Sequence, residues 1–308
     1  MKKRVLVVYF TQSGQLNNAV RATLSPFEKD ENVELVYEEI KPVTPFPFPW
    51  AFMQFFDKFP ECVQGIPCEL QSLKVNPNEN FDLIIIAYQA WFLSVSIPIN
   101  SFLQTEAAKT LLKNKKVVTV ISCRNMWLNA QEKMKASLLS LKADLVGNIT
   151  YVDRASNLTS LITVMAFVFK GVQDKYLGFM PVYGVSKEEL AKDAPVFGGI
   201  VLKHFARNEY SGLQKELIES GAIKIKANLM ILEGRGKIFF PIYANFISKK
   251  GTSGTKERRA RVRSFGIILP IVVFTLSPII TVISRVVPLL FPKKNKREMD
   301  YHSNNFLR

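Results

Sequence analysis

Five apolar, β-branched runs set between helical stretches constrain this chain more than any other feature. RVLVVYF (4–10), NVELVYEEI (32–40), FDLIIIAYQ (81–89), KKVVTVISC (115–123) and GNITYVDRA (147–155) read as strands. The first, third and fourth are almost continuously apolar, the pattern of strands covered on both faces of a parallel sheet. NVELVYEEI alternates and belongs nearer a sheet edge. Helical stretches fall at about 15–24, 98–112 and 129–143, the last with Met134, Leu138 and Leu141 at helical spacing. Strands alternating with helices imply right-handed crossovers and an α/β doubly wound parallel sheet. Five strands favour the order 2-1-3-4-5.

One connection departs from that rhythm. Between Pro42 and Cys68, where a crossover helix belongs, stand six prolines and a run of aromatics. The prolines confine helix to a short piece around 51–58. Two readings stay open for this segment: a loop packed over the sheet, or an apolar wall for a bound ligand. After the fifth strand an apolar helix is expected over 156–172. Ser186 and Glu189 at capping-box spacing then open one or two helices, broken near Pro195. The domains expected are 1–185, the sheet domain; 186–248, a helical extension; and 249–308, a basic linker, an apolar segment and a basic tail.

The 308 residues carry a formal net charge of +15, and ten of those charges sit in two places. Residues 249–263 hold seven bases and one acid, and KKNKR (293–297) adds four. Between them runs SFGIILPIVVFTLSPIITVIS (264–284), twenty-one residues without a charge. Bases beside an apolar run point to anionic membrane lipid as a partner and away from nucleic acid. The run is long enough to span a bilayer. It also suits an interfacial or re-entrant form, because Pro270, Pro278 and Pro288 would kink it and both flanks are basic. A buried helical pair is the third reading. No signal peptide is expected, since the apolar stretch after Met-Lys-Lys is too short. The place expected for the chain is the cytoplasmic face of the inner membrane. Three cysteines, Cys62, Cys68 and Cys123, form no disulfide framework, and Cys62 and Cys68 read as packed thiols with no metal site.

In an open parallel sheet, ligands bind beyond the carboxyl ends of the strands at the switch point. Three loops meet there. The first, Thr11-Gln12-Ser13-Gly14-Gln15-Leu16, ends a strand in small hydroxyl residues and a glycine before a helix. Such a turn offers backbone N–H groups and hydroxyls to a phosphate. It lacks the lysine of a nucleotide-binding P-loop and the glycines of a dinucleotide fingerprint. A single phosphate held by dipoles and hydroxyls suits FMN. The second loop holds Gln89, Ala90, Trp91 and Phe92; the third holds Cys123, Arg124, Asn125, Met126 and Trp127. Trp91, Phe92, Met126 and Trp127 could sandwich an isoalloxazine ring, with backbone near Ala90 and Asn125 at its polar edge. Arg124 and Tyr88 are the catalytic candidates. Asp57 and Glu61 are further polar groups near the suspected pocket, and His204 reads as a satisfied core histidine.

The T-x-S-G loop, the strand spacing and the aromatic loops resemble the flavodoxin superfamily over about residues 1–155. The loop departs from that pattern at Leu16, where a third hydroxyl is common and Asn17 or Asn18 stands next in line. YFTQSGQL, FPFPWAFMQFFDKFPE, YQAWFLSVSIP and SCRNMW together resemble the bacterial dialkylresorcinol condensing enzyme family of flexirubin-type pigment-lipid biosynthesis. The resemblance implies a lipophilic dialkyl cyclohexanedione as substrate, a dialkylresorcinol as product, and a ketosynthase and acyl carrier protein as partners. The chain has no Cys–His–His set of its own, with only His204 and His302. A cyclohexanedione is two electrons more reduced than a resorcinol, so the step expected is an FMN-dependent oxidation that makes the ring aromatic. A flavodoxin-like NAD(P)H:quinone reductase or electron carrier, and a non-catalytic membrane scaffold for the ketosynthase pathway, remain the alternatives.

Overall fold

The computed structural model describes residues 2–307, apart from the side chains of residues 157, 228, 276–282 and 284–289. Strands β1 (Lys3–Tyr9), β2 (Val33–Glu39) and β3 (Leu83–Trp91) are parallel. A two-residue strand, β4 (Ser94–Val95), folds back antiparallel on the end of β3. Strands β5 (Lys116–Cys123) and β6 (Asp144–Val152) complete the parallel set. The order is β2-β1-β3-β5-β6, with β4 off this path. The expected five-strand order 2-1-3-4-5 is thereby amended to 2-1-3-5-6 by an inserted hairpin strand. The sheet is doubly wound in the flavodoxin-like manner, with its switch point between β1 and β3.

Each inner strand supplies two cores, because successive side chains point to opposite faces. Leu6, Val8, Ile84, Ile86 and Ile121 pack with residues of helices that follow β4 and β5. Val5, Val7, Leu83, Ile85 and Val120 pack on the other face. That second face is covered by α1 (Gln15–Glu28) and, much later in the chain, α8 (Lys187–Arg207). The two helices cross so closely that a Cβ on Gly198 would lie 1.7 Å from the Thr23 carbonyl oxygen. Residues 186–207 therefore form part of the layer over the sheet. Ser186 and Glu189 make the capping box read from their spacing. The break expected near Pro195 is absent: α8 runs through it, held on one side by buried Leu190, Ala194, Phe197, Val201 and Phe205.

The segment 42–68 forms two short helices, α2 (Phe52–Asp57) and α3 (Phe59–Gln64), where one was expected. Pro60 lies in the first turn of α3, where its missing N–H costs nothing. The stretch 98–112 also divides, into α4 (Ile97–Leu103) and α5 (Glu106–Leu112), because the Thr105 hydroxyl caps α5 by accepting from Ala108 N at 3.1 Å. Helices α6 (Leu128–Ser140), α7 (Asn157–Lys170) and α9 (Leu213–Glu219) precede the long pair α10 (Ala227–Ser248) and α11 (Arg259–Leu290); α12 (Pro292–Ser303) follows. A third core joins α10 and α11 to α2 and α3, through Phe56, Phe59, Val63, Ala244, Ile247, Val262 and Phe265. Phe59 and Phe265 stack with ring centroids 3.7 Å apart.

Much of the second half of the apolar run 264–284 lies outside the described side chains. Among the described residues no helix is long and apolar enough to cross a membrane.

Candidate functional site

The carboxyl ends of β1, β3 and β5 open into one cavity of about 300 Å³, at the lower end of the roughly 300–1,000 Å³ usual for ligand pockets. All three loops singled out in the sequence reach it. From the first come Gln12, Ser13, Gln15 and Leu16; from the second Gln89, Ala90, Trp91 and Phe92; from the third Cys123, Arg124, Asn125 and Met126.

The first loop is shaped by Gly14, whose φ of 86° lies in the left-handed region that only glycine enters freely. Thr11 does not line the cavity. Its hydroxyl accepts from Gly14 N at 3.1 Å and fixes the turn. Gly14 is the N-cap of α1, so the helix start has no side-chain cap and no acid in its first turn. Nothing lies within 4 Å of where a Gly14 Cβ would stand. The positive end of a 14-residue helix thus meets open space beside the Ser13 hydroxyl. Neither Asn17 nor Asn18 lines the cavity, so neither supplies a third hydroxyl-like group beside Leu16.

The second loop is a two-residue hairpin with Phe92 and Leu93 both at positive φ, 48° and 58°. Such a turn favours Asn-Gly, and a side chain in this region costs about 1–2 kcal/mol. Packing holds it. The Phe92 ring lies 5.0 Å from Phe55 and 5.3 Å from Phe59, centroid to centroid. Trp91 stands edge-on to Phe46 and Trp50. Phe48, Trp50, Phe55 and Phe56 of the 42–68 segment line the cavity, while Phe46 and Phe59 pack behind. The segment thus packs over the sheet and also lines the cavity.

Two candidates fall away from the cavity. Tyr88 points to the opposite face of β3 from its neighbours Ala87 and Gln89, is fully buried, and donates to Gln131 Oε1 at 2.6 Å. Trp127 is 1% exposed, belongs to the core under α6, and donates from Nε1 to Lys224 O. The catalytic role for Tyr88 and the ring-stacking role for Trp127 are therefore corrected to packing roles. Asp57 and Glu61 do not line the cavity either. They hold Arg258, whose Nε is 2.7 Å from Asp57 Oδ1 and whose Nη1 is 2.8 Å from Glu61 Oε1. His204 is satisfied by Glu209 O and Glu216.

Other lining residues were not read from the sequence. Helix α7 contributes an apolar wall, including Leu161, Met165 and Phe169, and α11 contributes Leu269, Pro270 and Val273. Tyr183 lines the polar end, tied to the first loop where Gln15 Nε2 donates to its carbonyl at 2.9 Å. Burial raises the Tyr183 phenol, so it stays a neutral donor. Burial pulls the Arg124 guanidinium down, while Tyr183, Asp153 and Cys123 act the other way; an arginine remains cationic throughout. Burial also pushes the Cys123 thiol up, which leaves it protonated and unreactive. Among the described residues no group of three or more His, Cys, Asp or Glu gathers in a way that could hold a metal ion.

The arrangement fits a flat, phosphate-bearing cofactor. One end offers an uncapped helix start and a serine, and the other an aromatic and aliphatic wall. Between them Gln89 donates from Nε2 to Phe10 O at 2.9 Å, while its buried Oε1 has no partner among the described residues. That oxygen is an acceptor suited to a ring N–H.

No family model matches the chain, and no curated protein matches it. Among solved structures it is similar to a flavoprotein in complex with FMN from Lactobacillus acidophilus, at 19% identity over 48% of this chain and 93% of that one, with a TM-score of 0.38. A flavodoxin from the domain Archaea matches at 13% identity over 55% and 97%, with a TM-score of 0.33. A WrbA-like flavodoxin from Agrobacterium tumefaciens matches at 11% identity over 68% and 100%, with a TM-score of 0.32.

Proposed function

We propose that the chain binds FMN in this cavity and oxidises a lipophilic dialkyl cyclohexanedione to a dialkylresorcinol, with a ketosynthase and acyl carrier protein supplying the dione. The observation that carries the reading is the joining of two unlike ends in one space. The uncapped start of α1 with Ser13 suits a phosphate, and the Trp50, Phe55, Trp91 and Met165 wall suits alkyl chains. Bound FMN would supply a two-electron acceptor that takes a hydride from the ring while a proton leaves to solvent. The protein has little acid–base work to do, because the carbon between two carbonyls is already acidic. The Arg124 guanidinium would stabilise the enolate, and Tyr183 would donate to its oxygen. The apolar wall keeps water out and aligns the dione by its alkyl chains. A protonated Cys123 fits a reaction without a covalent enzyme intermediate.

The test is anaerobic mixing of FMN-loaded protein with a dialkyl cyclohexane-1,3-dione. Loss of the visible flavin band, with a product lighter by two hydrogens, is the expected outcome. A flavin that ignores the dione and bleaches with NAD(P)H would favour a quinone reductase.

A further inference from the structure

Helices α10 and α11 lie antiparallel. Tyr243 and Ser264 hydroxyls meet at 2.9 Å, and the Arg261 guanidinium covers the Phe246 ring at 4.0 Å while bonding its carbonyl. Their inner faces are the third core. Their outer faces are apolar as well. On α10, Ile238, Ile242 and Phe246 are spaced by four and are 63%, 63% and 43% exposed. On α11, Ile267, Ile271 and Phe274 recur at helical spacing and are 50%, 55% and 42% exposed. Single exposed apolar residues are ordinary, but a helix pair with apolar stripes on both sides is not. At the turn joining the helices stand exposed Lys249, Lys250, Lys256, Arg259 and Arg263, with Glu257 the one acid among them. The apolar face therefore ends in a concentrated positive charge.

We propose that this outer face of α10 and α11 docks in the plane of an anionic lipid bilayer. Apolar side chains would enter the acyl boundary and the basic turn would meet the headgroups, the pattern of interfacial helices. Charge complementarity selects anionic lipid over a neutral surface. The position has a consequence for the cavity. Leu269, Pro270 and Val273 line it from the same turns of α11 that expose Ile271 and Phe274. An apolar ligand could pass from the bilayer along α11 without crossing water. The docking itself rests on the surface and is independent of what the cavity holds.

The test is flotation of the full chain, with no flavin added, against vesicles of phosphatidylcholine alone and of phosphatidylcholine mixed with phosphatidylglycerol. Partition onto the anionic vesicles should be at least tenfold the stronger. Ile242→Asp with Ile271→Asp should reduce it about a hundredfold, whereas Ile242→Leu with Ile271→Leu retains it. Lys249→Gln with Arg259→Gln should reduce it roughly twentyfold at low salt and little at high salt. A chain that ignores both vesicles overturns the proposal. So does equal binding by the double Asp variant with its thermal unfolding unchanged. A concentration-dependent dimer that the double Asp variant dissolves, without vesicle binding, would assign the face to a second copy instead.

Discussion

Ser13 and Gly14 show how much one position decides here. The start of α1 favours negative charge whether it comes from a phosphate or from a side chain. Ser13→Glu should therefore leave the thermal stability of the flavin-free protein unchanged or slightly higher, while weakening FMN binding more than a hundredfold by titration. Equal binding by that variant would place the phosphate elsewhere. Arg124→Gln should lower the rate of flavin reduction by the dione by about 10²–10³-fold with a smaller effect on FMN affinity, the scale of losing one oxyanion donor. Glu233 gives a pH prediction. Burial raises it to about 7, although N–H groups of Asn129 and Leu128 pull the other way. Its folded pKa thus exceeds its unfolded one, so the folded state holds a proton that the unfolded state releases. Stability falls as pH rises from about 4.5 to about 7, by about 3 kcal/mol. Urea unfolding should show Glu233→Gln gaining on the native chain at pH about 8 and not at about 5. At this scale the sequence was most informative at the ends of strands, where a loop's position follows from the fold. It misled for Tyr88, because which face a strand residue takes depends on a register that one residue of slip inverts, and for Trp127, which stands beyond β5 as the N-cap of α6 and turns into the core. The Phe92-Leu93 turn was invisible, since its residues contradict the turn they form.

Among the elements, the connection α2–α3 and the pair α10–α11 act as one unit pinned by Arg258. Its side chain is wholly buried, and it bonds both Asp57 and Glu61. Asp57 is pushed up by burial, but the bonds from Arg258, Ser253 and Gly254 outweigh this and hold it below the usual carboxylate range. Arg258→Met leaves two half-buried carboxylates without their cation, which should cost about 2–3 kcal/mol, less than the loss of a partner in a fully buried pair. Hydrogen exchange should then quicken across α10 and the first turns of α11 while β1, β3 and β5 stay protected. Uniform loss of protection would mean the pin also holds the sheet. None of this was legible in order along the chain, because Asp57 and Arg258 are some two hundred residues apart and read separately as a pocket acid and a linker base. The strands and α1, by contrast, were legible from local periodicity alone. Helix α7 carried a signal of another kind: it is apolar along most of its length, and it turns Leu161, Met165 and Phe169 to the cavity, with Phe169 also packed on the third core.

For the whole molecule, the sheet gives a rigid floor with three strand ends converging on one opening, and the aromatic segment with the C-terminal helices gives that opening its walls. The floor follows from alternation of strands and helices, so the sheet's crevice could be placed in advance. The walls come from residues up to Val273, drawn back over the sheet by tertiary contacts that no local pattern records. The account stands or falls on the cavity taking a flavin. Purified full-length chain, incubated with FMN and then desalted, should keep the visible flavin band at one flavin per chain, and the Ser13→Glu variant should lose it. A colourless chain after the same treatment, with the sheet intact by circular dichroism, would contradict the account.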